Sequence, residues 1–261
     1  MDIATIIGLV LGFGAVIGGQ VLEGGHVQAI LQPTAALIVL GGTFGATLVS
    51  FPMSVVIRAF KDAIRAFLPP KNNFEQTISQ LIAFANKARR DGIIALEQDV
   101  KSISDPFTVK GINLITDGTE PQTFRETMEI ELATFEEHSK HSPEFFEAAG
   151  GFAPTIGIIG AVLGLIHVMS NLSDASKLGE GIAVAFVATI YGLVTANIIC
   201  LPISTKLKHQ NKELVKDKMI ILEGLYSLQA GENPRFIEDK LRAYLHHDGK
   251  SKGSEDEKKE K

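Results

Sequence analysis

Two prolines, a threonine and a tyrosine stand inside long stretches without formal charge, and their chemistry needs a physical account first. Pro154 and Pro202 each lack a backbone donor and release the carbonyl four residues earlier, Gly150 and Ile198 respectively. Where water is scarce, a released carbonyl must find another partner. Each proline therefore marks either a plain kink or a hinge. Thr189 and Tyr191 bring hydroxyls to the same interval. A threonine in such a place bonds back to its own helix or helps to coordinate an ion. A route for ions across a bilayer ordinarily uses an ionisable group. Beyond hydroxyls, and apart from His26 near the start of the second stretch, the charge-free stretches offer only His167, which reads as a packed or interfacial residue. The missing group must then come from a partner.

Soluble-type catalysis finds no support elsewhere in the chain. There is no Gly-rich nucleotide loop, no Ser/His/Asp set and no cysteine cluster. Glu137, His138 and His141 lie in a charged run whose spacing matches no HExxH arrangement. The single cysteine, Cys200, sits in an apolar stretch, where it serves as a small hydrophobe. A net charge of −5, with no basic stripe interleaved with aromatics, argues against nucleic acid as a partner. The expectation is a protein that is not an enzyme and holds no cofactor or resident metal.

The elements that must position these residues follow from the distribution of charge. Residues 3 to 22, 24 to 57, 148 to 173 and 181 to 205 contain no Asp, Glu, Lys or Arg. A bilayer core about 30 Å thick takes roughly 20 apolar residues as a helix, and a charge at its centre costs about 2.5–3.5 kcal/mol. Four membrane spans are predicted. Of the 25 Lys and Arg, all but Lys177 fall between residues 55 and 147 or after residue 203. Basic residues mark the cytoplasmic side. Both termini are therefore expected inside, with short external loops near residues 20 to 33 and 172 to 180. Met1-Asp2 supplies no basic n-region, so the first span is expected to stay as an anchor.

Small residues recur along these spans: Gly8, Gly12, Gly14, Gly18 and Gly19; Gly157, Gly160, Ala161 and Gly164; Ala188, Gly192 and Ala196. Helices in lipid associate by close backbone approach, which small residues permit. The pattern allows two readings, packing within one subunit or an interface with another chain. Residues 55 to 147 read as helices: a stripe from Phe74 through Ile78, Leu81, Ile82 and Ala85, a break at Gly92, a turn at Asp117-Gly118 and a start at Thr119-Glu120-Pro121. Beyond the fourth span, a helix over 204 to 226 is stopped by Gly231-Glu232-Asn233-Pro234, and another runs to Leu245. Residues 246 to 261 are almost all Lys, Glu, Asp, Gly and Ser and cannot bury a core. The expected organisation is spans one and two in 1–54, a cytoplasmic helical domain in 55–147, spans three and four in 148–205, cytoplasmic helices in 206–245 and a disordered tail in 246–261. The fold class is all-α, a polytopic membrane protein.

Several segments in this order carry a resemblance: Met1-Asp2-Ile3-Ala4-Thr5, Ala88-Arg89-Arg90-Asp91-Gly92, Ala95-Leu96-Glu97, Ala153-Pro154 with Gly157 and Gly160, Thr189-Ile190-Tyr191-Gly192, Leu201-Pro202-Ile203 and Gly231-Glu232-Asn233-Pro234-Arg235. On four spans with these loop lengths they resemble the MotA/PomA family of flagellar motor stator subunits. The resemblance implies an ion-driven torque generator of the bacterial inner membrane. It implies a homopentamer around a B-type partner whose aspartate carries the ion, and a cytoplasmic domain that pushes on the rotor protein FliG.

It further implies that Arg89, Arg90 and Glu97 face the rotor. Pro154 and Pro202 would match the family's functional prolines, and Thr189 with Tyr191 would lie on the ion pathway. Sodium-type members carry hydroxyls where this chain has Ala161 and Ala188, so the resemblance favours H+ over Na+ as the coupling ion. A competing reading is an ExbB/TolQ-type proton-driven energiser, which the additional N-terminal spans disfavour. A solitary transporter predicts inverted repeats and broken helices that the chain lacks. A passive scaffold leaves the two prolines, expected at one depth beside Thr189 because spans three and four run antiparallel, without a role.

Overall fold

The computed structural model describes residues 2–68, 74–172 and 175–245, with the side chains of 175–177 left out. Asp2 starts the first helix, its carboxylate accepting from the Ala4 amide at 3.2 Å as an N-cap. That helix, α1 (Ile3–Leu22), buries none of its residues within the chain and ends before Gly24, which takes φ +81°.

The second charge-free run is not one helix. A 3-10 turn (Val27–Ile30) precedes α2 (Pro33–Ala36), with its proline at the first helical position, where no donor is missed. A π-turn (Leu37–Gly41) then leads into α3 (Gly42–Ser50). Phe51 is extended because proline comes next, and Pro52 opens α4 (Met53–Ala66), which has a strongly one-sided apolar face.

After α5 (Phe74–Asp91) come a 3-10 turn (Ile93–Leu96), α6 (Glu97–Val100) and α7 (Pro106–Thr116). The next helix, α8 (Pro121–Ser170), runs 50 residues with Pro143 and Pro154 inside it. Helix α9 (Ala175–Val194) passes through a second π-turn (Thr195–Cys200) into α10 (Leu201–Gln229), and α11 (Pro234–Ala243) is the last helix described. Among the described residues there is no strand. Four segments are long and apolar enough to cross a bilayer: Ile3–Leu22, Val27–Ser50, and the apolar parts of α8 and of the Leu178–Gln229 rod. The fold is all-α and multi-pass, as expected. The expected disordered tail at 246–261 and positions 173 and 174 of the second external loop lie outside the described residues.

The chain folds as two units. The first takes residues 1–70 and 139–211. One end of it is a core of Val56, Ala59, Ala66, Phe145, Phe146 and Leu207, where Phe145 meets Phe51, Phe60 and Phe146 edge-on at 5.3–5.8 Å. A second, smaller cluster in this unit is formed by Ala35, Val39, Val187 and Ala188. The chain start is tied down by the Asp2 amide, which donates to the Phe67 carbonyl at 2.8 Å, and by Lys206, which meets the Asp2 carboxylate and the Thr5 hydroxyl.

The second unit takes residues 71–138 and 212–261. Ile78, Leu81, Leu96, Phe107, Ile112, Phe124, Met128, Ile220, Leu225, Ile237 and Leu241 form its core. Removing one such side chain to alanine costs about 2–5 kcal/mol. The helices approach closely at Gly111, where a Cβ would stand 2.5 Å from Leu225, and at Gly224, where it would stand 2.7 Å from Leu81.

Candidate functional site

Helices α8 and α9 meet backbone to backbone. A Cβ on Gly157 would lie 3.0 Å from the Ala188 carbonyl oxygen, one on Gly192 would lie 2.6 Å from the Ala153 carbonyl oxygen, and one on Gly164 would lie 2.7 Å from the Gly181 carbonyl oxygen. The small faces of spans three and four are therefore used against each other within one chain. The first span differs: a Cβ on Gly8, Gly14, Gly18 or Gly19 would meet nothing within 4 Å. Of the two readings of the small-residue pattern, intramolecular packing holds for spans three and four and for Gly12 of α1, where a Cβ would stand 3.2 Å from Ile198, while Gly8, Gly14, Gly18 and Gly19 are left open.

Pro154 lies in this seam, its Cα 3.2 Å from where a Gly192 Cβ would be. The carbonyl that it releases belongs to Gly150, a buried residue against which Leu201 and Cys200 pack. Leu201 stands beside Gly150; Pro154 lies four residues, about 6 Å, beyond Gly150 along α8, while Pro202 lies one residue, about 1.5 Å, beyond Leu201 in the opposite direction. The two prolines are thus offset, not level, and the turn before one packs against the residue whose carbonyl the other releases. Pro202 itself is exposed and lines a cavity of about 450 Å³ with Thr5, Gly8, Gly12, Asn197 and Lys206.

Thr189 is half-buried and its hydroxyl donates to the Ala185 carbonyl at 3.2 Å, the bond back to its own helix. Tyr191 does something else. Its hydroxyl donates to the Ile30 carbonyl at 2.7 Å and accepts from the Gln32 amide at 3.3 Å, closing the backbone between the 3-10 turn and α2. Ala188 is fully buried in the cluster with Ala35 and Val39, facing Gly160, while Ala161 is half-buried.

Arg89, Arg90 and Glu97 occupy the second unit. Arg89 and Arg90 end α5, where positive charge is favoured by the exposed carbonyls of the last turn. Gly92 then takes φ +88°, a conformation that only glycine adopts without strain. Leu96 is fully buried, and this anchors the 3-10 turn so that Glu97 faces outward. A Lys87–Asp99 ion pair at 2.8 Å braces the turn from both sides. Arg90 is bidentate to Asp91 at 2.9 and 2.8 Å, and these hydrogen bonds hold the Asp91 carboxyl below its ordinary range and raise Arg90. Arg89 and Glu97 are exposed and make no ion pair among the described residues. Their charges are available to a partner.

Residues 6–92 match the Motility protein A N-terminal family, and residues 99–219 match the MotA/TolQ/ExbB proton channel family. Motility protein A of Helicobacter pylori is 36% identical over 245 residues, which cover 94% of this chain and 95% of that protein. The chain belongs to the motility protein A family. The fold carries the same relation: C. jejuni MotAB matches with a TM-score of 0.89 at 34% identity, over 97% of this chain and 100% of that chain. The flagellar MotAB stator complex from Bacillus subtilis matches at 0.83 and 35% identity, over 92% and 94% of the two chains.

Expected site residues fall in two groupings, Pro154, Thr189, Ala161 and Ala188 on the α8–α9 pair and Arg89, Arg90 and Glu97 around the Gly92 turn. Sequence reasoning alone misses Pro143, which interrupts the donor ladder of α8 as Pro154 does. Its only signal is a proline inside a helical charged run. In the second unit, Asp105 caps α7 through the Thr108 amide at 3.0 Å and receives Lys218 at 3.2 Å. Burial opposes ionisation of Asp105, but the Thr108 bonds and Lys218 outweigh it and keep the carboxyl low. Asp217 goes the other way, raised by burial despite the Thr77 hydroxyl that donates to it at 2.8 Å.

Proposed function

We propose that this chain is the A-type subunit of a flagellar motor stator that couples ion flow to torque. The observation that carries the reading is the fold-level match to MotAB stator structures over nearly the whole chain, with all four spans included. The N-terminal match over residues 6–92 favours it over an ExbB/TolQ-type energiser, which shares only the channel family matched by residues 99–219.

In this function the spans hold no carboxylate, so the titrating group is an aspartate of the B-type partner, and α8 and α9 supply its surroundings. The partner's single helix and further copies of this chain, five in all, complete the channel in the inner membrane, with both termini in the cytoplasm. Protons are the coupling ion: a sodium ion must exchange several water oxygens for protein oxygens, and Ala161 and Ala188 offer none, while a proton needs only the carboxylate. Arg89, Arg90 and Glu97 meet charges on the rotor protein FliG. Opposed exposed charges contribute little stability but set the register of a transient contact.

The test is motility in a strain deleted for this gene, with flagella counted by electron microscopy. Intact filaments that do not rotate, restored by the gene, are expected. Normal swimming with an uptake or outer-membrane defect would move the assignment to the ExbB/TolQ reading. In the complemented strain, Arg89→Glu with Glu97→Arg should leave the protein in the membrane and reduce torque on tethered cells; unchanged torque would remove these residues from the rotor contact.

A further inference from the structure

Helix α8 runs through Pro143 without ending, although that residue cannot donate to the Ser139 carbonyl and its ring crowds it. The carbonyl is taken from outside the helix: Asn211 of α10 donates its Nδ2 to Ser139 at 2.5 Å. Two more side chains close on the same turn. Ser204 donates to the Pro143 carbonyl at 2.8 Å, and Ser142 donates to Asp62 of α4 at 2.7 Å. Ser142, Pro143 and Ser204 are all buried. Among the described residues, no side chain donates in this way to Gly150 or Ile198, the carbonyls released by Pro154 and Pro202.

Ser139 and Asn211 are also the residues at which α8 enters and α10 leaves the first unit. A helix bends most readily where its donor ladder is interrupted. Here the interruption is bridged by a side chain, so a bend can be made and reversed by one hydrogen bond without unravelling a turn.

We propose that Pro143 and Asn211 are positioning residues for torque generation: Pro143 makes a flex point in α8, and Asn211 closes it by donating to the Ser139 carbonyl. This rests on the stator reading. A fixed structural kink would make the same contacts, so stability and movement must be read separately.

Pro143→Ala returns the missing amide to Ser139, and Asn211→Ala removes the bridge. The four proteins of this double-mutant set are compared by thermal unfolding of the purified full-length stator complex and by swimming speed in the deletion strain. Asn211→Ala is expected to lower the unfolding temperature by about 2–4 °C in the parent and by less than half as much beside Pro143→Ala. Pro143→Ala is expected to unfold at or above the parent temperature and yet to swim at less than half the parent speed. A merely structural proline would give a protein at least as stable that swims normally, and that result overturns the proposal. An equal effect of Asn211→Ala in both backgrounds overturns the bridge. If the parent gene itself does not restore swimming, the stator reading fails and the torque role with it, while the unfolding data still report on the bridge.

Discussion

Gly192→Ala adds one methyl group where α8 and α9 are nearest. The new Cβ would stand 2.6 Å from the Ala153 carbonyl oxygen and 3.2 Å from the Cα atoms of Gly157 and Pro154. All three neighbours are backbone, so no rotamer can relieve the contact. To reach an ordinary 3.4 Å the helices must separate by roughly 0.8 Å at this level, a separation that also loosens Gly157 against Ala188. Overpacking of this kind costs about 1–3 kcal/mol, and the better helix propensity of alanine returns about 1 kcal/mol. A net loss of up to about 2 kcal/mol is expected. Gly151→Ala is the control: it lies on the same helix pair, nothing stands within 4 Å, and only the propensity gain applies. Thermal unfolding of the two full-length variants in the same detergent decides the matter, at about 2–4 °C for each kcal/mol. If Gly192→Ala unfolds at the parent temperature or tracks Gly151→Ala, the claim that spans three and four are held by backbone contact is wrong.

Replacement of Asp105 and Asp217 by asparagine should shift stability in opposite directions. The Asp105 carboxyl is held low, so its contribution is present above the unfolded carboxylate pKa and lost as pH falls through the folded value. Asp105→Asn keeps an N-cap acceptor but loses the charge that Lys218 and the Thr108 donors meet, so it should destabilise by roughly 1 kcal/mol at neutral pH, the difference between a charged and a neutral hydrogen bond, and the difference from the parent should vanish in acid melts. Asp217 is held high, so the advantage of its neutral form is present below the unfolded pKa and lost as pH rises through the folded value. Asp217→Asn keeps an acceptor for Thr77 and should equal or exceed the parent at neutral pH, with no gain in acid; a clear loss at pH 7 would contradict the burial argument. Tyr191→Phe leaves the Ile30 carbonyl and Gln32 amide without their partner and should cost about 1–3 kcal/mol. Amide exchange at Gln32 should accelerate; unchanged protection there would show that another group holds the turn.

The four spans are legible directly, because the bilayer penalty on charge leaves a trace in composition that no later packing can erase. Gly92 is equally legible: a glycine between two apolar helical stretches marks a positive φ, and the buried Leu96 anchors the 3-10 turn beyond it. The use of the small faces is not, since Gly157 and Gly192 have the same spacing whether they face a helix of their own chain or another. The role of Tyr191 is hidden too, because its partners lie 159 and 161 residues away in a turn with no local signature. The offset of Pro154 and Pro202 needs the contact between Gly150 and Leu201, which depth counted from the span ends does not supply. Pro143 stays inconspicuous because a proline in a charged helix resembles an ordinary helix end until Asn211 is seen beside it.

The π-turn at Thr195–Cys200 has a consequence for phase. Ala188, Gly192, Ala196, Cys200, Ser204 and Lys208 are spaced by four, and Ala188, Gly192, Cys200, Ser204 and Lys208 meet α8 at Gly157, Ala153, Gly150, Pro143 and Glu147 in turn. In an uninterrupted α-helix each four-residue step overshoots a revolution by about 40°, so five steps would carry the stripe about 200° around the rod and away from its neighbour. A wider turn holds more residues per revolution and absorbs part of that rotation. One extra residue in the winding therefore takes back about 100° of rotation along the rod, so deletion of a single residue between Thr195 and Cys200 would let that turn close to an α-helix with the contacts on either side kept in line, whereas a deletion elsewhere in the rod would turn them by about 100°.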